Sequence, residues 1–309
     1  MPRLVTVLLF TMALFVSLTI IGCQKKSADP SQMQRDKDKI QVFVSIMPQM
    51  SIVKSIGGDH VQVESLVKAN TSPHNYEPTP RQLMRLTQAH VFFSINMPFE
   101  DQLLSKIQLQ NSSLHIANMA ENIVERHFIT SDARDHDAHD SHDETVDPHV
   151  WLGVAQIETL ANTTTRRLSE LYPQFASDFN ANLLKYLAKL HAVNDSLHTA
   201  LDQYRGSSFY VFHPAFGYFA DSYGLKQVAV EIEGKSPSAK QILSVIELAK
   251  HDNVKILFVQ KQFDSNTAQA IAKAIDGTVV AIDPLLEDIL QNLQMIGTEI
   301  LQSFKNQVG

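Results

Sequence analysis

The chain has 309 residues, of which 44% are apolar and 19% are charged, and it contains a single cysteine, Cys23. This composition excludes collagen-like, low-complexity and disulfide-stapled proteins. The 26 basic residues against 33 acidic ones argue against nucleic-acid binding, which calls for a basic face. At about 100 to 200 residues per domain the length allows two domains, and a single domain is also compatible with it.

The first 23 residues resemble a bacterial lipoprotein signal. An apolar stretch follows Arg3 and ends in Ile-Ile-Gly-Cys23, which has the form of a lipobox. The alternative is a transmembrane anchor, because about 18 apolar residues approach the length that crosses a bilayer. A small residue directly before the only cysteine favours the signal. We expect a signal peptide at 1–22, lipidation of Cys23, a flexible tether at 23–39, and a folded part held outside the cytoplasm at a bacterial membrane.

From residue 40 onward, short apolar runs alternate with helical segments, which is typical of βα units around a largely parallel sheet. The first series predicts strands at 40–46, 61–67, 91–95 and 114–117, and helices at 49–56, 80–88 and 99–108. The second predicts strands at 209–212, 227–231, 255–259 and 278–282, and helices at 215–223, 238–251, 266–275 and 285–304.

The segment 154–204 between the two series has no glycine and one proline, Pro173. Its apolar residues recur every three or four positions, at Leu183, Leu184, Leu187, Leu190, Val193 and Leu197. This spacing predicts a helix that starts near Pro173 and runs to about Tyr204, roughly 45 Å in length. Such a helix is long enough to join two lobes, which we place at 40–153 and 205–309.

The segment 127–149 differs in composition from the rest of the chain. It holds five of the 13 histidines and seven acidic residues, and His136, His139 and His142 are spaced by three. With little apolar surface to pack, it is predicted to be a surface loop. Either it is a solvated acidic loop without function, or its imidazoles and carboxylates capture metal weakly; we favour metal capture.

Three other histidines stand beside prolines. His74 lies in Ser-Pro-His-Asn-Tyr-Glu-Pro, His149 in Asp-Pro-His-Val-Trp-Leu, and His213 in Val-Phe-His-Pro-Ala-Phe. Asp283 follows the last predicted strand, in Ile-Asp-Pro-Leu. Ligands of parallel sheets collect at the carboxyl ends of strands, where His213 and Asp283 are predicted to lie. Taken singly, each residue has a structural alternative: a turn residue, a packed ring, a core histidine or a helix N-cap.

Taken together and in this order, the four segments resemble the zinc and manganese substrate-binding proteins of ABC uptake transporters, and among them the zinc-type members. The resemblance runs from residue 40 to the C-terminus. It implies two (β/α) lobes, each around a mostly parallel sheet, joined by a long rigid helix, with a metal site in the cleft between the lobes.

The resemblance also implies the ligands. His74 and His149 would come from the first lobe and His213 and Asp283 from the second, which gives Zn²⁺ a closed set of four ligands. Histidine at position 213, where manganese-type relatives carry a carboxylate, favours Zn²⁺ over Mn²⁺. Glu77 is expected to support His74 through a hydrogen bond. The segment from Glu231 to the serines that cap the next helix, Ser236 or Ser238, is interpreted as structural.

The expected function is a monomeric receptor, not an enzyme, that captures Zn²⁺ and delivers it to a membrane permease and its ATPase. The alternatives are a manganese receptor of the same family and a surface lipoprotein that buffers zinc or acts as an adhesin. A zinc hydrolase is disfavoured, because the sequence lacks a His-Glu-x-x-His helix motif.

Overall fold

The computed structural model describes residues 39–74, 76–128, 146–231, 237–263 and 265–308, without the side chains of residues 265 and 308. The predicted signal peptide, Cys23, and the loop histidines His136, His139 and His142 lie outside these ranges. Among the described helices, none combines the length and the apolar content needed to cross a lipid bilayer.

The first lobe is built around a parallel sheet of four strands in the order β2-β1-β3-β4. Its elements are β1 (Ile40–Val44), α1 (Met47–Gly57), β2 (Val61–Ser65), α2 (Pro80–Leu86), β3 (Val91–Ser94), α3 (Glu100–Gln110) and β4 (His115–Asn118). Strand β3 is buried along its whole length, as expected for a parallel strand with both faces covered. Each predicted strand and helix of this lobe is present, with shifted ends.

The chain between the lobes forms two helices, α4 (Val154–Leu171) and α5 (Ala176–Leu201), separated by a 3₁₀ turn at Pro173–Phe175. Helix α5 is 26 residues long, or about 39 Å at 1.5 Å per residue. Its buried face consists of Phe179, Tyr186, Leu190, Val193, Leu197 and Leu201. One position of the predicted stripe was wrong: Leu184 is 70% exposed, because the buried face passes through Tyr186 instead.

The second lobe repeats the topology of the first, with four parallel strands in the order β6-β5-β7-β8. Its elements are β5 (Ser208–Val211), α6 (Gly217–Tyr223), β6 (Lys226–Ala229), α7 (Ala239–His251), β7 (Ile256–Gln260), α8 (Ser265–Ala274), β8 (Thr278–Ile282) and α9 (Ile289–Val308). Ser238 caps α7, as one of the two predictions had it, by accepting a hydrogen bond from Gln241 N. The predicted fold class, two parallel α/β lobes with a long helix between them, is confirmed.

Part of the hydrophobic core is shared by the two lobes, and each lobe also has a buried cluster of its own. A single cluster of buried residues runs from β1 and α1 through α4 and α5 to β5, α6 and α9. The connecting helices belong to this cluster and therefore pack against elements of both lobes. The loops that leave the carboxyl ends of the strands meet at one place, where the candidate site lies.

Candidate metal centre

Three predicted histidines, two from the first lobe and one from the second, come together between the lobes. His74 Nε2 lies 3.1 Å from His213 Nε2, and His149 Nε2 lies 3.2 Å from the same atom. Ligands about 2.0 to 2.1 Å from a tetrahedral Zn²⁺ are about 3.3 Å apart, which is close to these separations. Within the described ranges, this is the cluster of histidine, cysteine or acidic groups that is able to hold a metal ion.

The strand order of the second sheet explains the position of His213. It follows β5, which lies between β6 and β7, so the ends of three neighbouring strands surround it. Gln260, at the end of β7, accepts a hydrogen bond from His213 N at 3.2 Å and donates one to His213 O at 2.7 Å. This reciprocal pair fixes the backbone of His213 at the point where the strand order reverses.

A buried carboxylate supports His213 from behind. Glu231 lies two residues beyond β6, is 2% exposed, and its Oε2 is 3.0 Å from His213 Nδ1. A carboxylate on Nδ1 holds the proton there and leaves the lone pair of Nε2 facing the cleft, as a metal ligand requires. The other oxygen, Oε1, is buried and has no hydrogen-bond partner among the described residues.

A second carboxylate supports His149 in the same way. Asp147 Oδ1 lies 2.7 Å from His149 Nδ1 and accepts a hydrogen bond from His149 N at 3.0 Å. Asp147 Oδ2 accepts from Arg126 Nη1 at 3.1 Å, and the side chain of Asp147 is fully buried. Burial opposes ionisation of this carboxyl, but the hydrogen bond from His149 and the charge of Arg126 lower its pKa below the usual value.

His74 is held differently, on the irregular segment between β2 and α2. It is half-buried, and its backbone N–H donates to Ser72 Oγ at 3.3 Å. The segment is anchored by Tyr76 OH, which donates to Leu66 O at 2.9 Å, and by Gln82 Nε2, which donates to the same oxygen at 2.8 Å.

The structure describes both Glu77 and His74, and no hydrogen bond joins their side chains. Glu77 is exposed. The support predicted from Glu77 is therefore absent, because its side chain points into solvent.

The electrostatic environment keeps His74 and His213 in the form that binds metal. Burial, together with the nearby His149 and His213, lowers the pKa of His74 to about 3. Burial is also the main cause that lowers the pKa of His213. Both rings are neutral at neutral pH, so a metal ion does not have to displace a proton from either Nε2.

The cavity at the histidines is about 10 Å³ and takes one ion or one water molecule, not an organic ligand. Trp151, Phe263, Pro284 and Leu285 supply its apolar walls, and Ser72, Pro73 and Gln262 complete the lining. The ring of Phe263 stacks on that of His213 with centroids 4.6 Å apart. Trp151 Nε1 donates to Pro284 O at 2.8 Å, which ties the first lobe to the second beside the site.

Asp283, the predicted fourth ligand, lies at the end of β8 next to this lining but is not part of the histidine cluster. Its Oδ1 accepts hydrogen bonds from Leu285 N at 2.9 Å and from Gln262 Nε2 at 3.3 Å. Helix α9 begins at Ile289 and not at residue 285 as predicted, because Asp288 caps it by accepting a hydrogen bond from Gln291 N at 3.1 Å.

Three supporting residues were missed from the sequence. Asp147 stands two residues before His149 within the Asp-Pro-His segment, and this proximity could have identified it from the sequence as a partner of His149. Glu231 was interpreted as structural, and its role depends on β6 lying beside β5. Arg126 carries no sequence signal: it is joined to Asp147 by the pairing of His127 with Val146 at the base of the histidine-rich segment.

Comparison with protein families gives a match over residues 42–298 to the family described as ZnuA, zinc-uptake complex component A, periplasmic. The zinc-binding protein AdcA of Streptococcus pyogenes serotype M3 is 28% identical over 260 residues, which cover 80% of this chain and 50% of that protein. The zinc-binding lipoprotein AdcA of Streptococcus pneumoniae serotype 4 is 26% identical over 302 residues, covering 96% and 57%. This chain thus spans about half the length of these AdcA proteins.

Two solved structures share the fold. The crystal structure of a ZnuA aligns with a TM-score of 0.79 and 33% identity, covering 86% of this chain and 99% of that chain. A ZnuA deletion mutant with zinc bound aligns with a TM-score of 0.78 and 34% identity, covering 86% and 98%.

Proposed function

Because this chain belongs to the ZnuA family of periplasmic zinc-uptake components, we propose that it captures Zn²⁺ between its two lobes and delivers it to a membrane permease and its ATPase. The observation that carries the proposal is the cluster of His74, His149 and His213, whose Nε2 atoms are spaced as ligands of one small ion.

The support behind the histidines fits a divalent cation. Three neutral imidazoles bring no charge to the ion, but Asp147 and Glu231 are buried directly behind His149 and His213. A carboxylate behind a histidine raises its basicity and strengthens its bond to metal. With both carboxylates ionised, their charge offsets that of Zn²⁺ even though neither carboxylate touches it.

For the fourth ligand we propose Asp283, which leaves its hydrogen bond to Gln262 when the ion binds. Its neighbours Pro284 and Leu285 already line the cavity. Asp283→Ala is expected to weaken zinc binding at least tenfold, since it removes a direct ligand. Asp202→Ala, at a side chain that is 73% exposed, is the matched control. Equal zinc affinities in the two variants would assign the fourth position to water.

Zinc is proposed over manganese because imidazole nitrogen is a better ligand for Zn²⁺, whereas Mn²⁺ prefers carboxylate and water oxygens. The test is a competition titration of the purified protein against a chelator, with the fluorescence of Trp151 as the signal. Trp151 is the only tryptophan, and its ring centroid lies 5.2 Å from that of His149. One tight site for Zn²⁺, with much weaker Mn²⁺ binding, is expected. Tighter binding of Mn²⁺ would make the protein a manganese receptor.

The same proposal includes lipidation at Cys23 and action as a monomer on the outer side of a bacterial membrane. The AdcA protein of Streptococcus pneumoniae is called a lipoprotein, which supports the anchor. Mass spectrometry of the protein from its native membrane checks this: an acylated Cys23 is expected, and an unmodified residue 23 would contradict it.

We further propose that His136, His139 and His142 capture metal weakly and pass it on. Removing residues 131–144 should leave the affinity of the tight site unchanged and lower the total number of zinc ions bound at high concentration. Loss of the tight site in the shortened protein would contradict this auxiliary role.

A further inference from the structure

One arginine of the first lobe reaches the metal centre from behind. Arg126 follows β4, and its side chain is only 14% exposed. Its carbonyl oxygen accepts a hydrogen bond from Asp147 N at 2.7 Å, while its Nη1 donates to Asp147 Oδ2 at 3.1 Å. Arg126 therefore fixes both the backbone and the carboxylate of the residue that orients His149.

The same arginine also contacts the second lobe. Its Nε donates to Asp221 Oδ2 at 2.9 Å, and its backbone N–H donates to Tyr218 OH at 3.0 Å. Both partners lie on helix α6. At the start of this helix Gly217 leaves the space that the guanidinium occupies, because a Cβ there would overlap Arg126 and lie 2.6 Å from Asp147 Oδ2. The guanidinium thus lies at a close contact between the lobes. It also contacts Asp147, whose carboxylate in turn contacts the predicted metal ligand His149.

The two carboxylates behind the histidines differ in this respect. Asp147 has a cationic partner that is shared with the other lobe, whereas no described cation pairs with Glu231. Removing one member of a buried ion pair leaves the other charge uncompensated, which disfavours its buried position. Asp147 is consequently the carboxylate whose position depends on a contact between the lobes.

We propose that Arg126 is a positioning residue that couples zinc affinity to the contact between the two lobes. While α6 holds the guanidinium, Asp147 keeps His149 Nε2 directed at the ion. Separation of the lobes breaks the contacts with Asp221 and Tyr218, loosens Asp147 and weakens the site, so that opening favours release. This inference rests on the proposed function, because it assumes that zinc binds at the histidines.

The test combines two substitutions, one at each end of the link. Arg126→Met removes the charge with little change in volume, and is expected to weaken Zn²⁺ binding by about 10- to 100-fold. Asp221→Ala changes a partner that is 61% exposed, and is expected to weaken binding about threefold. Because both act through the same guanidinium, Asp221→Ala should have no further effect in the Arg126→Met background. Arg126→Lys lacks the forked donors that reach both Asp147 and Asp221, and its zinc affinity should fall between those of wild type and Arg126→Met.

Zinc affinities are measured by the Trp151 titration against a chelator, and folding is checked by circular dichroism. The absorption spectrum of bound Co²⁺ reports ligand geometry and should change in Arg126→Met but not in the control Arg205→Met, whose arginine forms an exposed ion pair with Asp202. A folded Arg126→Met protein with wild-type affinity would overturn the proposal, as would equal effects of Asp221→Ala in both backgrounds. If Arg126→Met does not fold, unchanged affinity in both Asp221→Ala and Arg126→Lys overturns it. Absence of a tight site in the wild type would instead reject the proposed function itself.

Discussion

The two sides of the metal centre are built in different ways. His149 and His213 are at most 3% exposed, and a buried carboxylate fixes each ring through Nδ1. His74 is half-buried on an irregular segment, and its ring has no carboxylate partner among the described residues. From this difference we infer that the fold sets the orientation of two of the proposed ligands in advance. The third proposed ligand is carried by a segment that is able to adapt as an ion enters or leaves.

The largest expected effect comes from removing His149 or His213, the two carboxylate-supported histidines that form the rigid side of the centre. The binding free energy of a four-ligand zinc site is about 10 to 16 kcal/mol, so the loss of one ligand costs about 3 to 4 kcal/mol, or roughly several hundred-fold in affinity. We expect a loss of this size for His213→Ala and for His149→Ala, measured by chelator competition. His191→Ala, at a half-exposed histidine of α5, is the control. A His213→Ala protein that still binds zinc within tenfold of wild type would refute the ligand assignment.

A smaller loss is expected on the adaptable side. His74→Ala should weaken zinc binding by about 100-fold, because water is able to take the vacated position where the segment is not fixed by a carboxylate. The dissociation rate, followed by stopped-flow fluorescence after addition of a chelator, should rise more than the association rate falls. If His74→Ala lowers the zinc affinity as much as His213→Ala does, the two sides of the centre are equivalent.

Much of this arrangement could be predicted from the sequence. The proline-flanked segments located all three histidines, and the alternation of apolar runs located every strand, because parallel strands are nearly continuous apolar stretches. The residues that support the histidines from behind could not be predicted in the same way. The contact between His213 and Glu231 requires β6 to lie beside β5, and the contact between Arg126 and Asp221 requires the packing of one lobe on the other. Such pairings depend on topology, and local pattern does not carry them.

A more conservative substitution tests whether the negative charge of the supporting carboxylates contributes to zinc binding. Glu231→Gln keeps an oxygen facing His213 Nδ1 but removes the negative charge, and is expected to weaken zinc binding about tenfold. Glu299→Gln, on the exposed face of α9, is the matched control. Equal affinities in these two variants would mean that hydrogen bonding alone, without charge, supports the rigid side.

The smallest predicted effect concerns the metal-free protein. His74 takes up a proton only near pH 3, whereas the ordinary value for histidine is 6.5. The unfolded chain therefore binds more protons below pH 6.5, and the free energy of unfolding falls as the pH falls, by about 1 to 2 kcal/mol between pH 7 and pH 5. Urea unfolding across this range should show a shallower fall for His74→Gln than for the control His251→Gln, which changes an exposed histidine. Identical slopes would contradict the burial of an unsupported imidazole.

The proposed zinc site is tested most directly by X-ray absorption spectroscopy of the protein loaded with one equivalent of Zn²⁺. We expect three imidazole nitrogens and one oxygen at about 2.0 to 2.2 Å from the metal. A spectrum with one imidazole or none would show that zinc is not held by His74, His149 and His213 together.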